Sequence, residues 1–288
     1  MDYFIHLAIL FSIYGILALS LNLVVGYTGL ISLAHAAFFG FGAYATAISM
    51  TKFGTNFFLS VLIGMVVAAS LATLIGIVLS RLKGDYYTLG SLGFNLIAWS
   101  IFINFEQLTR GPLGIPGIPR PQFFGIHFSD NFSFLLLTLV FLALVYALSR
   151  FVVTSSFGRV LKAIREDEKA IQIFGYKTQN YKLLIFVIAG ALAAIAGSLF
   201  ASYISFIDPY NFTINESVFM LSIIILGGLA NVRGALLGAL FLVLLPEFLR
   251  FVGFPPDIAA QTRLVVYGLM LVILMLYRPQ GLLGEYKL

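Results

Sequence analysis

Six basic side chains crowd one polar stretch of an otherwise hydrophobic chain: Arg159, Lys162, Arg165, Lys169, Lys177 and Lys182, all within residues 154–182. Glu166, Asp167 and Glu168 stand among them. Mixed charge of this density breaks no bonds by itself, but it suits specific contact with a soluble partner. Other ionisable residues near apolar runs are few. His35 lies inside one run and Asp85 opens another, while Glu247 and Arg250 are three apart and spaced to pair on one helix face. Ionisable groups inside membrane spans are costly and usually functional. Their scarcity argues against coupling to protons or sodium within this chain. No catalytic constellation is present: there is no cysteine, no His-Glu-x-x-His, no Gly-x-Ser-x-Gly and no phosphate loop. Any use of ATP requires another chain to bind it.

The elements that position these residues are set by composition. The chain has 288 residues, 60% hydrophobic and only 10% charged, against about 25% charged in soluble domains. It is therefore expected to be an all-α polytopic integral membrane protein. A bilayer core of about 30 Å needs roughly 20 apolar helical residues. Nine spans are expected, within a range of eight to ten: Phe4–Val25, Leu30–Met50, Phe57–Ser80, Tyr86–Asn104, Phe132–Val153, Leu183–Phe206, Ile214–Ala230, Ala235–Val252 and Ile258–Tyr277. The seventh and eighth are short and Gly-rich, so one of them, or the second, is a candidate for a broken or re-entrant segment. With the basic loop inside, twelve Lys/Arg fall inside and five outside: Lys52, Arg110, Arg120, Arg250 and Arg263. That bias places the N-terminus out and the C-terminus in. The net charge of +5 is explained by this topology, and no nucleic-acid partner is expected. The first span lacks a basic leader and is expected to be retained.

The whole chain, residues 1–288, reads as a single membrane domain with two sizeable loops. Residues 105–131 lie outside and contain GPLGIPGIPRP, where Gly and Pro forbid regular structure. An ordered cap or hairpin is expected there. Residues 154–182 lie inside, with Ser155 or Ser156 as N-cap and Gly175 as a C′ stop around one or two short amphipathic helices. The run Gly26–Tyr44, GYTGLISLAHAAFFGFGAY, mixes small residues with His35 and aromatics. Small residues allow close helix packing in lipid, and they also let a helix unwind so that its backbone faces a pathway. Asp85, after Gly84, is a candidate cap for the fourth span. Gly190/Ala194, Ala193/Gly197 and Gly234/Gly238 have helix-contact spacing.

Six segments together resemble a known family. They are GYTGLISLAHAAFFGFGAY, RLKGDYYTLGSLGF, LTRGPLGIPGIP, the stretch from Gly158 to Phe200, ILGGLANVRGALLGA and RPQGLLG. Spread from Gly26 to Gly284, they are similar to the LivM-type permease subunits of ABC importers for branched-chain amino acids. The resemblance implies that the inner loop docks on an ATPase through Arg165, Glu166, Asp167, Glu168, Ala170, Ile173, Phe174 and Gly175. Ile171, Ile173 and Phe174 supply apolar anchors. Lys169 departs from the family's Glu-Ala-Ala pattern and Gly175 stands one residue late, so the register of individual contacts is open. The resemblance further implies a second, paralogous permease, two cytoplasmic ATPases holding ATP and Mg2+, and an extracytoplasmic binding protein meeting the outer loop. No cofactor is expected in this chain, which is not expected to be an enzyme. A prokaryotic cytoplasmic membrane is the expected location. Pathway residues are expected along Gly26–Tyr44 and the start of the fourth span: Ser32, His35, Phe38, Phe39, Tyr86 and Thr88. The same architecture also carries small amides or urea in the family. A stand-alone ion-coupled transporter and an intramembrane enzyme are the competing classes.

Overall fold

The computed structural model describes residues 2–123, 126–128, 130–251, 268, 269, 272, 276 and 280–284. Its helices are α1 (Asp2–Thr28), α2 (His35–Lys52), α3 (Phe57–Leu79), α4 (Asp85–Asn104), the single turn α5 (Glu106–Thr109), α6 (Asn131–Thr154), α7 (Ser156–Glu166), α8 (Glu168–Ile173), α9 (Thr178–Ile204), α10 (Ile214–Gly227) and α11 (Val232–Phe251). Helices stand at eight of the nine expected spans. The ninth, Ile258–Tyr277, lies almost wholly outside the described residues, as does the side chain of Arg250 in its expected pair with Glu247. Among the described residues, five helices are long and apolar enough to cross a membrane by themselves. There are six if α10 and α11, bent by 120°, form one broken span.

Small residues bring the central helices into backbone contact. A Cβ on Gly42 of α2 would lie 2.4 Å from the Cα of Ala194 in α9, and one on Gly197 would lie 2.1 Å from the carbonyl oxygen of Phe39. Across the same seam the Thr46 hydroxyl donates to Ser198 Oγ at 2.7 Å, and Ser198 in turn donates to the Ala194 carbonyl at 2.9 Å. The small-residue spacings of α9 thus make the helix contact they predict. α3 adds a stripe at helical spacing, with Phe57, Val61, Gly64, Ala68, Ala72, Gly76 and Leu79 all buried. α1 is buried along most of its length and packs against α6, α9, α10 and α11.

Loops segregate to the two ends of this bundle. At one end, two two-residue strands join distant loops: β1 (Ile115–Pro116) pairs antiparallel with β4 (Phe206–Ile207). Between them in sequence, β2 (Gln122–Phe123) and β3 (Ile126–His127) form a hairpin. The described part of 105–131 thus closes over this end of the bundle. Lys52 Nζ donates to the Gln107 carbonyl at 2.8 Å, tying α2 to the same cap. At the other end lie the α7–α8 hairpin, the α10–α11 corner and residues 280–284. Leu282 and Leu283 N–H groups donate to the Leu226 and Gly227 carbonyls at 2.9 and 3.0 Å. One local expectation is corrected. Gly84, at φ +51°, is the N-cap of α4 and makes no side-chain cap bond, while Asp85 is the first helical residue. A positive φ suits glycine, so the turn takes the cap position that Asp85 was expected to fill.

Candidate docking hairpin and transport pathway

The α7–α8 hairpin is built by capping chemistry. Ser155 Oγ accepts from Gly158 N at 3.3 Å and starts α7. The Asp167 carboxylate accepts from Lys169 N and Ala170 N at 2.9 and 3.0 Å and starts α8. Gly175, at φ +87°, stops α8. Its N–H donates to Gln172 O at 3.0 Å, and Tyr176 N–H donates to Ile171 O at 3.3 Å. Two such bonds around a left-handed residue make a Schellman stop. α7 is amphipathic, with Leu161 and Ile164 buried against the bundle and Lys162 over the Tyr27 ring at 5.6 Å.

The eight expected docking residues divide into two sets. Glu166, Asp167, Ile173, Phe174 and Gly175 are exposed, and Ala170 is half-buried. Ile173 and Phe174 are 85% and 77% exposed, an apolar tip on a polar hairpin. Arg165 and Glu168 turn inward instead. The Arg165 guanidinium donates to the carbonyl of Gly26, near the end of α1, where a cation complements the helix dipole. Glu168 Oε1 pairs with buried Lys182 Nζ at 2.7 Å and accepts from Thr178 Oγ1 at 3.0 Å. Burial pushes the Glu168 carboxyl up, but its bonds and attraction to Lys182, the Thr178 hydroxyl and the charge of Lys83 outweigh this and hold it below the ordinary value. These two residues position the hairpin, and the tip is what remains to be touched.

The second site is a break in the chain. Residues 29–34 are not helical, and side chains from other helices take up backbone groups in the break and in the first turn of α2 after it. Thr88 Oγ1 donates to Ile31 O at 3.1 Å, Leu33 N donates to Ser91 Oγ at 2.9 Å, and Ala36 N donates to Ser217 Oγ at 3.0 Å. These partners stand in for helix bonds that the break gives up. Ser32 and His35 are fully buried beside the break. Phe38 and Phe39 are core residues: Phe38 meets Phe94 and Phe186 at ring distances of 5.4 and 5.3 Å, and Phe39 meets Phe200 and Phe212 at 5.2 Å each. Tyr86 is 74% exposed on the outside of α4. Its neighbour Tyr87 is the buried one and meets Ser32. One residue turns a helix by 100°, so the register of α4 separates the two tyrosines. Ser32 and Thr88 thus meet the break and His35 follows it directly, while Tyr86 faces away.

Sequence reasoning missed Ser91, Asn95, Glu216 and Ser217. The Asn95 side chain is fully buried with neither amide atom hydrogen-bonded. Glu216 meets Tyr14, leaving Oε1 unbonded. The available signal was polar residues four apart inside an apolar run (Ser91 and Asn95), and an acid in the first turn of α10. Among the described residues, no group of three His, Asp or Glu side chains could hold a metal ion.

Apolar helices of spanning length, an unwound segment satisfied by its neighbours and a polar hairpin at one end define a multi-pass membrane permease. Comparison with known proteins then fixes which kind. A family profile described as branched-chain amino acid transport system, permease component, matches residues 3–275, and the chain belongs to that family. The permease protein LivM of the high-affinity branched-chain amino acid transport system of Escherichia coli strain K12 is 37% identical over 97% of this chain and 69% of its own length. Its counterpart LivH from the same strain is 30% identical over 95% of this chain and 92% of its own. A probable LivM of Methanocaldococcus jannaschii is 26% identical over 96% and 91%. No solved structure matches the chain.

Proposed function

We propose that this chain is one of two permease subunits of an ABC importer that moves branched-chain or other hydrophobic amino acids into the cell. The observation that carries this reading, beyond family membership, is the α8 tip. Two large apolar side chains held in water by a capped, ion-paired hairpin are costly to leave bare, and they suit the groove of a soluble partner. That partner is a cytoplasmic ATPase, present twice, which binds ATP and Mg2+. The chain itself holds no cofactor. Its 1–288 domain crosses a prokaryotic cytoplasmic membrane nine times, N-terminus out and C-terminus in. The 154–182 loop is cytoplasmic, and the 105–131 cap meets an extracytoplasmic binding protein. The separation of loops to two ends supports this topology, as does the gathering of most basic residues at the hairpin end.

Arg165 links docking to transport. It holds α7 to the end of α1, immediately before the break at 29–34. A displacement of the hairpin on ATP binding therefore pulls on the segment where the backbone is already unwound. Ser32, His35 and Thr88 are the pathway residues of this reading, with Ser91, Asn95 and Ser217 added. An apolar substrate with a zwitterionic end suits such a lining, which is hydroxyl- and amide-bearing and poor in charge.

The test is to purify the chain with its partners and measure uptake of labelled leucine, and separately of urea or a small amide, into vesicles with and without internal ATP. ATP-dependent leucine uptake is expected, and amide uptake alone moves the substrate class. A stand-alone ion-coupled carrier is the second reading, favoured by the buried carboxyl of Glu216. It requires transport by the chain alone, without ATP and with accompanying proton or sodium flux.

A further inference from the structure

α4 does not fit a lipid-facing helix. α3 and α6 are a third buried or less, and their outward sides suit hydrocarbon. α4 is no better buried, yet its mean hydropathy is about half theirs. Its outward stripe is Tyr86, Leu89, Gly93, Ile97, Ser100 and Asn104, spaced three and four apart along one face. Asn104 Nδ2 donates to the Ser100 carbonyl and hydroxyl at 2.8 and 3.1 Å, so an amide and a hydroxyl sit together on that face.

Gly93 is the second, independent observation. Every other glycine within α1–α11 stands where a Cβ would come within 3.3 Å of a neighbouring atom, so each is explained by close packing inside the chain. Gly93, in the middle of α4, has nothing within 4 Å. Glycine is the poorest helix former after proline, and in lipid its use is to let a second backbone approach. Among the described residues, nothing approaches a Cβ built there.

We infer that the outward face of α4 is the seam at which this subunit packs on a helix of the second permease, with Gly93 at the point of closest approach. The inference rests on the two-permease reading above and adds the surface. A sister subunit is the fitting occupant because relatives of both the M and H types match nearly all of this chain. A sister that matches along its length is expected to carry a counterpart of α4.

The chain has no cysteine, so an introduced thiol is its only one. Gly93→Cys, Leu144→Cys on the outside of α6 and Val66→Cys on the outside of α3 are made in the full complex and carry a photo-activated maleimide. Gly93→Leu, Leu144→Trp and Val66→Phe are made alongside them. The expected result is a cross-link from position 93 to peptides of the second permease and none from 144 or 66. Gly93→Leu lowers recovered second permease at least tenfold with the membrane level of this chain unchanged, while the other two bulky variants change it less than twofold. Normal pairing of Gly93→Leu, with position 93 labelled from the lipid phase as fast as 144, overturns the inference. A cross-link to a second copy or to the ATPase overturns the occupant. A wild-type preparation that contains no second permease overturns the two-permease reading and this one with it, an outcome distinct from intact pairing in Gly93→Leu.

Discussion

The seam between α2 and α9 and the hairpin of α7 and α8 are held together by different physics. In the seam, backbone presses on backbone at Gly42, Ala194 and Gly197, and hydroxyls bridge what little space remains. In the hairpin, few side chains are buried, and the order comes from two N-caps, a Schellman stop and the Glu168–Lys182 pair. Steric packing of the first kind has one solution and resists displacement. Polar fastening of the second kind can be loosened by charge, and it leaves Ile173 and Phe174 in solvent. A permease driven by a partner, as proposed above, calls for both: a frame that does not deform and a handle that can be gripped.

The largest effect is expected where the frame is overfilled. Gly42→Leu would drive a side chain into the backbone of Ala194, well beyond the ~1–3 kcal/mol of ordinary overpacking. The variant should be absent from the membrane fraction, as a quantitative blot would show. Accumulation at the wild-type level would mean that the seam is soft. Next comes the handle. Ile173→Asp with Phe174→Asp should leave membrane level untouched while cutting ATPase recovery in pull-down about a hundredfold, or about 3 kcal/mol for two interface anchors.

A smaller loss is expected for Glu168→Gln, which leaves buried Lys182 unpaired. It should cost about 2 kcal/mol of hairpin stability, less than a fully buried pair because Glu168 is partly exposed. Faster hydrogen exchange across residues 167–176 is the readout. The pH dependence has a fixed sign. The carboxyl is held below its ordinary value of 4.5, so its contribution is complete above that pH and drains away as pH falls through the lower folded value. Protection from exchange, taken relative to the intrinsic rate at each pH, should therefore fall in the wild-type hairpin below pH 4.5, and should fall less in Glu168→Gln. Smallest of all, Ser155→Ala removes one N-cap, about 1 kcal/mol, and should quicken exchange only in the first turn of α7.

Much of this contrast was legible in the residues. Ser155, Gly175 and the small-residue spacing of α9 act locally or through helix periodicity, so their roles follow from sequence neighbours. Arg165 and Glu168 were expected at the partner because the family resemblance and the mixed charge of 165–169 both pointed there. Their inward bonds go to Gly26 and Lys182, and only the packing of α7 on α1 and of α8 on α9 decides that. Tyr86 and Tyr87 were indistinguishable for a related reason. Which side of α4 faces the bundle depends on where its first turn begins, and that is set by the positive φ of Gly84. Asn95 and Glu216 were passed over inside apolar runs, whose average hides a single polar side chain.

The α10–α11 corner bears on how the molecule is made. The carbonyls of Leu226 and Gly227 end a helix and need donors. They receive them from Leu282 and Leu283, residues that the ribosome adds much later. Until that stretch emerges, these two acceptors lack the partners they have in the finished chain. Completion of the corner is therefore an event late in biogenesis, and a nascent chain that stalls before residue 280 presents a distinct, unfinished surface to the machinery of insertion and quality control.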